Sequence, residues 1–403
     1  MAKAANGRSS IHRGPDGAWE GWVSFGLDAE GRRRRKHVRG TTKREVAEKV
    51  KRLERQRDGG YAGDRPLTVT EWLDAWIVTR LTAGVRAKTL EGYRADRRHI
   101  VAAIGTVRLD RLSAEHVDKL WLAILAAGAG PATCAHVRRT LSAALNSAVE
   151  RGHLARNPVL VSRPPRYEAP EVEPLSAADA RKVLGVAVNR RNAALWSVAL
   201  ALGLRQGEAL GLRWSDLDLG EGRLTVRAQL QHLPWQHGCA AAEASPTCGR
   251  DPGRCPSRHG GGPVFVPVKS AAGRRVLALP APMVEPLRRH AAAQAVDRLR
   301  AGSRWADHGL VFAREDGTPI RKETDSAEWH RILRLAGVRD ARLHDARHTA
   351  ATLLLVQGVP AGLAMRLLGH SDTRVTARYQ HVVEEAARAA AEQVGAALWG
   401  IGH

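Results

Sequence analysis

Tyrosine is scarce in this 403-residue chain: there are four, at positions 61, 93, 167 and 379, beside three phenylalanines and three methionines. Only Tyr379 lies beyond residue 167, so a phenol in the C-terminal half can be assigned without ambiguity. Long apolar runs are missing too. No stretch approaches the roughly 18 apolar residues that a membrane-spanning helix needs. The opening MAKAANGRSS lacks the apolar core of a secretory signal. The expectation is a soluble intracellular protein. Four cysteines, at 134, 239, 248 and 255, do not make a disulfide framework in a chain this long. Acidic residues are in deficit, 41 Asp and Glu against 63 Lys and Arg, for a net charge of +22. Such a balance implies a polyanionic partner. No carboxylate cluster accompanies the histidines of the C-terminal half, which argues against a metal-dependent nuclease.

What is present divides into two or three domains' worth of chain. Residues 1–65 form a basic module with 17 basic against 9 acidic side chains. Trp19, Trp22, Val23 and Phe25 fall in short strand-like runs punctuated by glycines. Thr42, with Glu45 three residues later, marks a helix start that should reach about Arg57. The expected unit is a three-stranded sheet packed on one helix. Between them stands the run Arg32, Arg33, Arg34, Arg35, Lys36. A charge run is usually a solvated face. On a strand beside aromatics it is read here as a DNA contact, since β-ribbons enter DNA grooves.

Residues 66–160 read as helices throughout. Trp72, Leu73, Trp76 and Ile77 have helical spacing, Thr89 to Ile104 follows, Ser113 can cap a third helix, and Pro131 to Arg151 makes a fourth. The tryptophans are read as core. Arg94, Arg97 and Arg98 on one helix, with Arg138 and Arg139 on another, are read as phosphate contacts that give affinity without sequence readout. The Pro-rich, charged segment 161–173 is a linker. Residues 174–403 are the largest domain, mainly helical, with strands expected at Arg223–Leu230, Val264–Val268 and Arg274–Leu279.

Reactive residue types concentrate in that last domain. Arg205 follows a glycine-flanked turn, and Glu208 lies one helical turn further on. The pair could be a plain ion pair, or a guanidinium oriented to grip phosphate oxygens bidentately. Lys269 sits at the tip of an expected hairpin, either merely solvated or a proton donor to a leaving oxygen. His344, Arg347 and His348 follow one another at helical spacing, then comes Leu-Gly-His370-Ser, and Tyr379 stands nine residues after His370.

In order and spacing, Arg205, Lys269, His344, Arg347, His370 and Tyr379 resemble the active site of the tyrosine recombinases, the phage integrase family. The resemblance is firm over roughly residues 174–385. It implies a multidomain fold: a small α+β arm-binding module, an all-α SAM-like core-binding domain, and a mainly α catalytic domain with a small antiparallel sheet. It implies that Tyr379 attacks a scissile phosphate to give a 3′-phosphotyrosyl enzyme, while Arg205, Arg347 and His370 stabilise the charge. Lys269 would protonate the 5′-oxygen, His344 would assist proton transfer, and Glu208 would orient its neighbours. No ATP or metal cofactor would be needed for catalysis. The implied partners are double-stranded DNA with core and arm sites, a homotetramer on synapsed DNA, and an excisionase or DNA-bending protein serving a mobile element. Residues 384–398 read as a helix for packing within the chain or docking on a neighbouring protomer. A type IB topoisomerase, or a DNA-binding regulator without recombination, are the competing functions.

One segment departs from the family pattern. About 30 residues, roughly 232–263, are inserted where a short turn is usual, and they carry His232, His237, His259 and three of the four cysteines. Cys239, Cys248, Cys255 and His259 would complete a tetrahedral structural zinc set. A Gly/Pro-rich loop with unused thiols is the alternative.

Overall fold

The computed structural model describes residues 9–27, 32–58, 67–168, 173–239, 247–268 and 271–369. The chain divides into two compact units, Met1–Pro170 and Glu171–His403. His370, Tyr379, Lys269 and the segment 384–398 lie outside the described residues.

The first unit opens with an antiparallel sheet of β1 (Ser10–Arg13), β2 (Trp19–Leu27) and β3 (Arg33–Gly40), in that order, followed by α1 (Lys43–Asp58). The Thr42 hydroxyl accepts from the Glu45 amide at 3.2 Å, and the Glu45 carboxylate accepts from the Thr41 amide at 3.0 Å. These bonds satisfy amides that the first helical turn would otherwise leave open. Val23, Val46, Val50 and Leu53 form a small core between sheet and helix. Strand alternation splits the basic run between two faces. Arg33, Arg35, His37 and Arg39 are exposed, whereas Arg34 and Lys36 are half-buried, with Lys36 Nζ 5.1 Å from the Phe25 ring centre.

The same unit contains α2 (Val69–Thr82), α3 (Ala87–Ile104), α4 (Ala114–Ala126) and α5 (Pro131–Glu150). Thr68 and Glu71 make a reciprocal cap at the start of α2. Trp72, Trp76, Ile100, Leu120, Leu141 and Leu145 are buried together, and the Trp72 indole donates to the Ala144 carbonyl at 2.9 Å. A buried polar bridge joins α3 to α5: Asp96 accepts from the Thr140 hydroxyl and meets His136 Nδ1 at 2.8 Å.

The second unit packs α6 (Ala177–Ala187), α7 (Ala193–Leu202), α8 (Gln206–Leu210), α9 (Ala281–Ala301), α10 (Lys322–Leu335), α11 (Leu343–Val356) and α12 (Ala361–Leu368) around two small sheets. One sheet has the order β4 (Leu217–Asp218), β5 (Arg223–Val226), β8 (Arg275–Ala278); the other pairs β6 (Ala228–Leu233) with β7 (Gly262–Pro267). The expected strand at 223–230 is therefore broken at Arg227, and its halves serve different sheets. The expected strands at 264–268 and 274–279 do not pair as one hairpin: β7 pairs with β6 and β8 with β5. Lys269 itself lies outside the described residues. Among the described residues no helix is long and apolar enough to cross a membrane.

Gly21 shows how tightly the N-terminal module is packed. A Cβ there would meet Val50 Cγ2 at 2.6 Å and Val46 Cγ1 at 2.9 Å. Gly21→Ala should cost about 1–3 kcal/mol through overpacking. Hydrogen exchange of the α1 amides checks this: they should lose protection in the variant while α2–α5 keep theirs.

Candidate active site

Three guanidinium groups converge on the C-terminal end of α12. Arg205 Nη2 donates to the Gly369 carbonyl at 3.0 Å, Arg347 Nη2 donates to the Leu368 carbonyl, and Arg275 Nε donates to the Leu367 carbonyl at 2.7 Å. The last carbonyls of a helix have no partner within it and carry its negative pole, so they attract cations. Here three consecutive carbonyls each take a different arginine. Gly369 ends α12 in the left-handed conformation, with φ +67°, and a Cβ there would lie 2.9 Å from Arg275 Nη1.

The arginines come from separate elements and are held by further bonds. Arg205 precedes the first turn of α8. Its Nη1 donates to Glu208 Oε1 at 2.8 Å, and its amide donates to Glu208 Oε2 at 3.1 Å. Arg275 lies on the inward register of β8 and donates to Glu208 Oε2 at 3.0 Å. Arg347, on α11, donates through Nη1 at 2.7 Å to the carbonyl of Gly203, which ends α7 with φ +61°. Glu208 is only 3 % exposed and bridges two cations. Burial pushes its carboxyl up, but the bonds and charges of Arg275 and Arg205 outweigh that and hold it below the usual carboxylate range. The Arg205 side chain keeps 38 % exposure even with these bonds made. Such a cation, fixed in direction, can grip a phosphate.

His344 and His348 sit on successive turns of α11 with ring centres 5.2 Å apart, edge to face. Crowding by surrounding atoms, with the charges of His348 and Arg347, holds the His344 imidazole below the usual histidine range. The residue keeps an exposed edge. A neutral imidazole at neutral pH can accept a proton. Beside Arg205, Gln206 donates to Asp325 Oδ2 at 2.8 Å, and burial pushes the Asp325 carboxyl up to about 6.

Arg205, Glu208 and Arg347 are thus brought together, with His344 one helical turn before Arg347. Arg275 was missed by sequence reasoning. Its signal was available: in Arg275-Val-Leu277-Ala-Leu279 it shares the inward alternation of two core leucines. The basic residues of the helical bundle fare unequally. Arg94, Arg98 and Arg139 are exposed. Arg97 is instead held by a two-pronged ion pair to Asp74, and Arg138 Nε is buried without a hydrogen-bond partner among the described residues.

The chain is 39 % identical over 426 residues to an integrase of Saccharopolyspora erythraea, covering 98 % of each, and residues 277–386 match the phage integrase family. The chain belongs to the phage integrase family, the tyrosine-type site-specific DNA recombinases. Solved structures agree in fold. An integrase of transposon Tn1549, in complex with transposon right end DNA, superposes with TM-score 0.64 at 19 % identity, covering 82 % of this chain and all of that one. A lambda integrase tetramer bound to a Holliday junction superposes with TM-score 0.53 at 19 % identity, covering 91 % and 94 %. The structural neighbours are multidomain tyrosine recombinases, and this chain is likewise a mixture of helices and small antiparallel sheets. The family cleaves strands through a 3′-phosphotyrosyl intermediate and needs no cofactor for catalysis.

In this integrase the β6–β7 insert carries a cluster away from the arginines. The ligand atoms of His237, Cys239, Cys248 and Cys255 all lie within 4.8 Å of one another. The fourth member expected from sequence, His259, is not among them. Gln236 and His259 face each other across an antiparallel bridge, with amide–carbonyl bonds of 2.9 and 3.0 Å in both directions. Directly opposed residues share a face, so the neighbour of Gln236 points the other way. His259 Nε2 instead donates to the His237 carbonyl at 3.2 Å, and His237 takes the place among the thiols.

Replacing Glu208 with Gln should destabilise the second unit, because it leaves the buried Arg275 charge without its counter-ion. Losing one partner of a buried pair costs about 3–5 kcal/mol. A carboxylate whose folded pKa is depressed contributes stability above its unfolded pKa and loses it as pH falls through the folded one. Denaturant unfolding should therefore show a wild-type advantage at pH 7 that shrinks as pH drops through and below the usual carboxylate range.

Proposed function

We propose that this recombinase cleaves and rejoins double-stranded DNA with Tyr379 as nucleophile, and that Arg205, Arg347, His344, His370 and Lys269 complete the site, with Glu208 and Arg275 positioning it. The observation that carries the reading is the convergence of three arginines on the carbonyls of residues 367–369. Those carbonyls immediately precede His370 and lie ten to twelve residues before Tyr379. A phosphate brought to Arg205 would thus meet the start of the segment that holds the phenol.

The chemistry then balances without an external energy source. The Tyr379 oxygen bonds to phosphorus, the bond from phosphorus to the 5′-oxygen breaks, and a 3′-phosphotyrosyl linkage remains. A free phenol has a pKa near 10 and is protonated at neutral pH, so its proton must leave. In this reading His344 assists that transfer. Lys269 gives a proton to the departing 5′-oxygen. Arg205, Arg347 and His370 offset the charge that builds on the non-bridging oxygens, the electrostatic contribution that usually dominates such barriers. Attack by the 5′-hydroxyl of another strand reverses these steps and completes the exchange.

In this reading residues 1–65 contact arm sites through the exposed face of β3, residues 66–160 contact core sites through Arg94, Arg98 and Arg139, residues 161–173 link, and residues 174–403 catalyse. The lambda integrase solved as a tetramer on a Holliday junction supports assembly of four protomers on two DNA sites. Integration and excision of a mobile element follow, and an arm-binding module is where an excisionase or DNA-bending protein would set direction.

The test is a nicked suicide duplex built on the attachment site, in buffer with no added divalent metal. Wild type should form a covalent protein–DNA adduct on a denaturing gel, and Tyr379→Phe should form none. Arg205→Ala should slow adduct formation by about 100- to 1,000-fold. A plasmid lacking the site should stay supercoiled, which separates a recombinase from a type IB topoisomerase. Site binding by wild type with no adduct would overturn the assignment in favour of a regulator. An adduct that survives Tyr379→Phe would mean a different nucleophile.

A further inference from the structure

The Cys/His cluster of the insert plays no part in the chemistry above, yet its geometry is that of a built site. His237 Nδ1 lies 3.8 Å from Cys239 Sγ and 3.5 Å from Cys248 Sγ. With zinc–sulfur bonds of about 2.3 Å and zinc–nitrogen bonds of about 2.0–2.1 Å, a tetrahedron sets its ligand atoms roughly 3.5–3.8 Å apart. We propose that His237, Cys239, Cys248 and Cys255 bind one structural zinc ion that locks the far end of the β6–β7 hairpin.

The backbone of the two loops supports the proposal. Gly238 has no room for a side chain, since a Cβ there would run into the Ser257 carbonyl. The two ligand-bearing loops are therefore in backbone contact. All three cysteines are free thiols, and Cys255 is buried.

The hairpin explains what such an ion would do. Its base rests on α8: a Cβ on Gly211 would lie 2.6 Å from the Leu230 amide nitrogen, and one on Gly207 would lie 2.9 Å from the Leu230 carbonyl. The helix that presents Arg205 and Glu208 thus packs directly on β6. The register runs from Ala228 opposite Pro267 to Leu233 opposite Gly262, and the Gln236–His259 bridge extends it outward to the cluster. A slip of one residue turns every side chain of a strand to the other face. A long connection leaves the register weakly enforced by the turn, and a metal closing that connection removes the freedom. In the sequence β7 leads to Lys269 through a single residue, Val268. Three thiolates and one divalent cation leave a single negative charge, in a tip whose Arg250, Arg254 and Arg258 are exposed.

The test uses the full-length chain purified without chelator or added metal, with metal content measured by plasma mass spectrometry. Wild type should carry one zinc per chain, His237→Ala and Cys255→Ser should lose it, and His259→Ala should keep it. Because a variant can lose metal by misfolding, the wild-type ion is also exchanged for cobalt. Intense visible bands of tetrahedral cobalt with thiolate charge transfer are expected. A wild-type chain that holds no zinc and takes up none on titration overturns the proposal. So does a disulfide between two of the three thiols in freshly isolated protein. Loss of zinc in His259→Ala with retention in His237→Ala overturns the ligand set. These readouts need no DNA, so they stand or fall apart from the assignment of Tyr379.

Discussion

A buried carboxylate between two guanidinium groups organises the second unit. Glu208 alone would be costly to bury, and so would Arg275. Together with Arg205 they form a charged cluster that the surrounding protein can tolerate. Its reach comes from the unspent donors of the arginines. Each guanidinium has five N–H groups in a rigid fork, so Arg205 and Arg275 can bind Glu208 and still bond to the end of α12. Arg347 makes the same kind of link from the other side, tying the end of α7 to the end of α12. Four elements distant in sequence, α7, α8, β8 and α11, are thereby referenced to one helix terminus. That is what electrostatic catalysis requires, since donors held before the reaction need no reorganisation during it.

Much of this was legible in the sequence, for physical reasons that differ from residue to residue. Arg205 and Glu208 could be paired because one helical turn brings residues three apart onto the same side. The N-terminal sheet and helix followed from strand alternation, turn glycines and the Thr42–Glu45 cap. Arg275 was hidden because a charged residue in a strand is ordinarily assigned to the solvent face. Its burial depends on Glu208, which lies 67 residues earlier. The pairing of β5 with β8 and β6 with β7 was equally hidden, because one strand-like run at 223–230 gives no local sign that its two halves serve different sheets. Charge content predicts a field and not the setting of each cation: Asp74 takes Arg97, and the alternation of β3 turns Arg34 and Lys36 toward α1.

The insert shows the limits of motif spacing. Its cysteines match no regular two-residue knuckle, and sequence distance favoured His259 as the fourth ligand. The antiparallel bridge at Gln236 decides otherwise, because the choice between neighbouring histidines is set by which face of the strand each occupies. The catalytic family needs no cofactor, so a metal in this place would act on folding and register alone. The same α8 that Arg205 caps supports the base of the hairpin, which makes the insert a structural extension of the site's scaffold.

The central claim is that Arg205 acts on the charge of the scissile phosphate. The most direct measurement replaces one non-bridging oxygen of that phosphate with a methyl group, which removes the negative charge without changing the leaving group. The account predicts that Arg205→Ala, impaired on the natural phosphate, cleaves the methylphosphonate far better, narrowing its gap to wild type. Equal impairment on both substrates would contradict it and leave Arg205 a purely structural partner of Glu208.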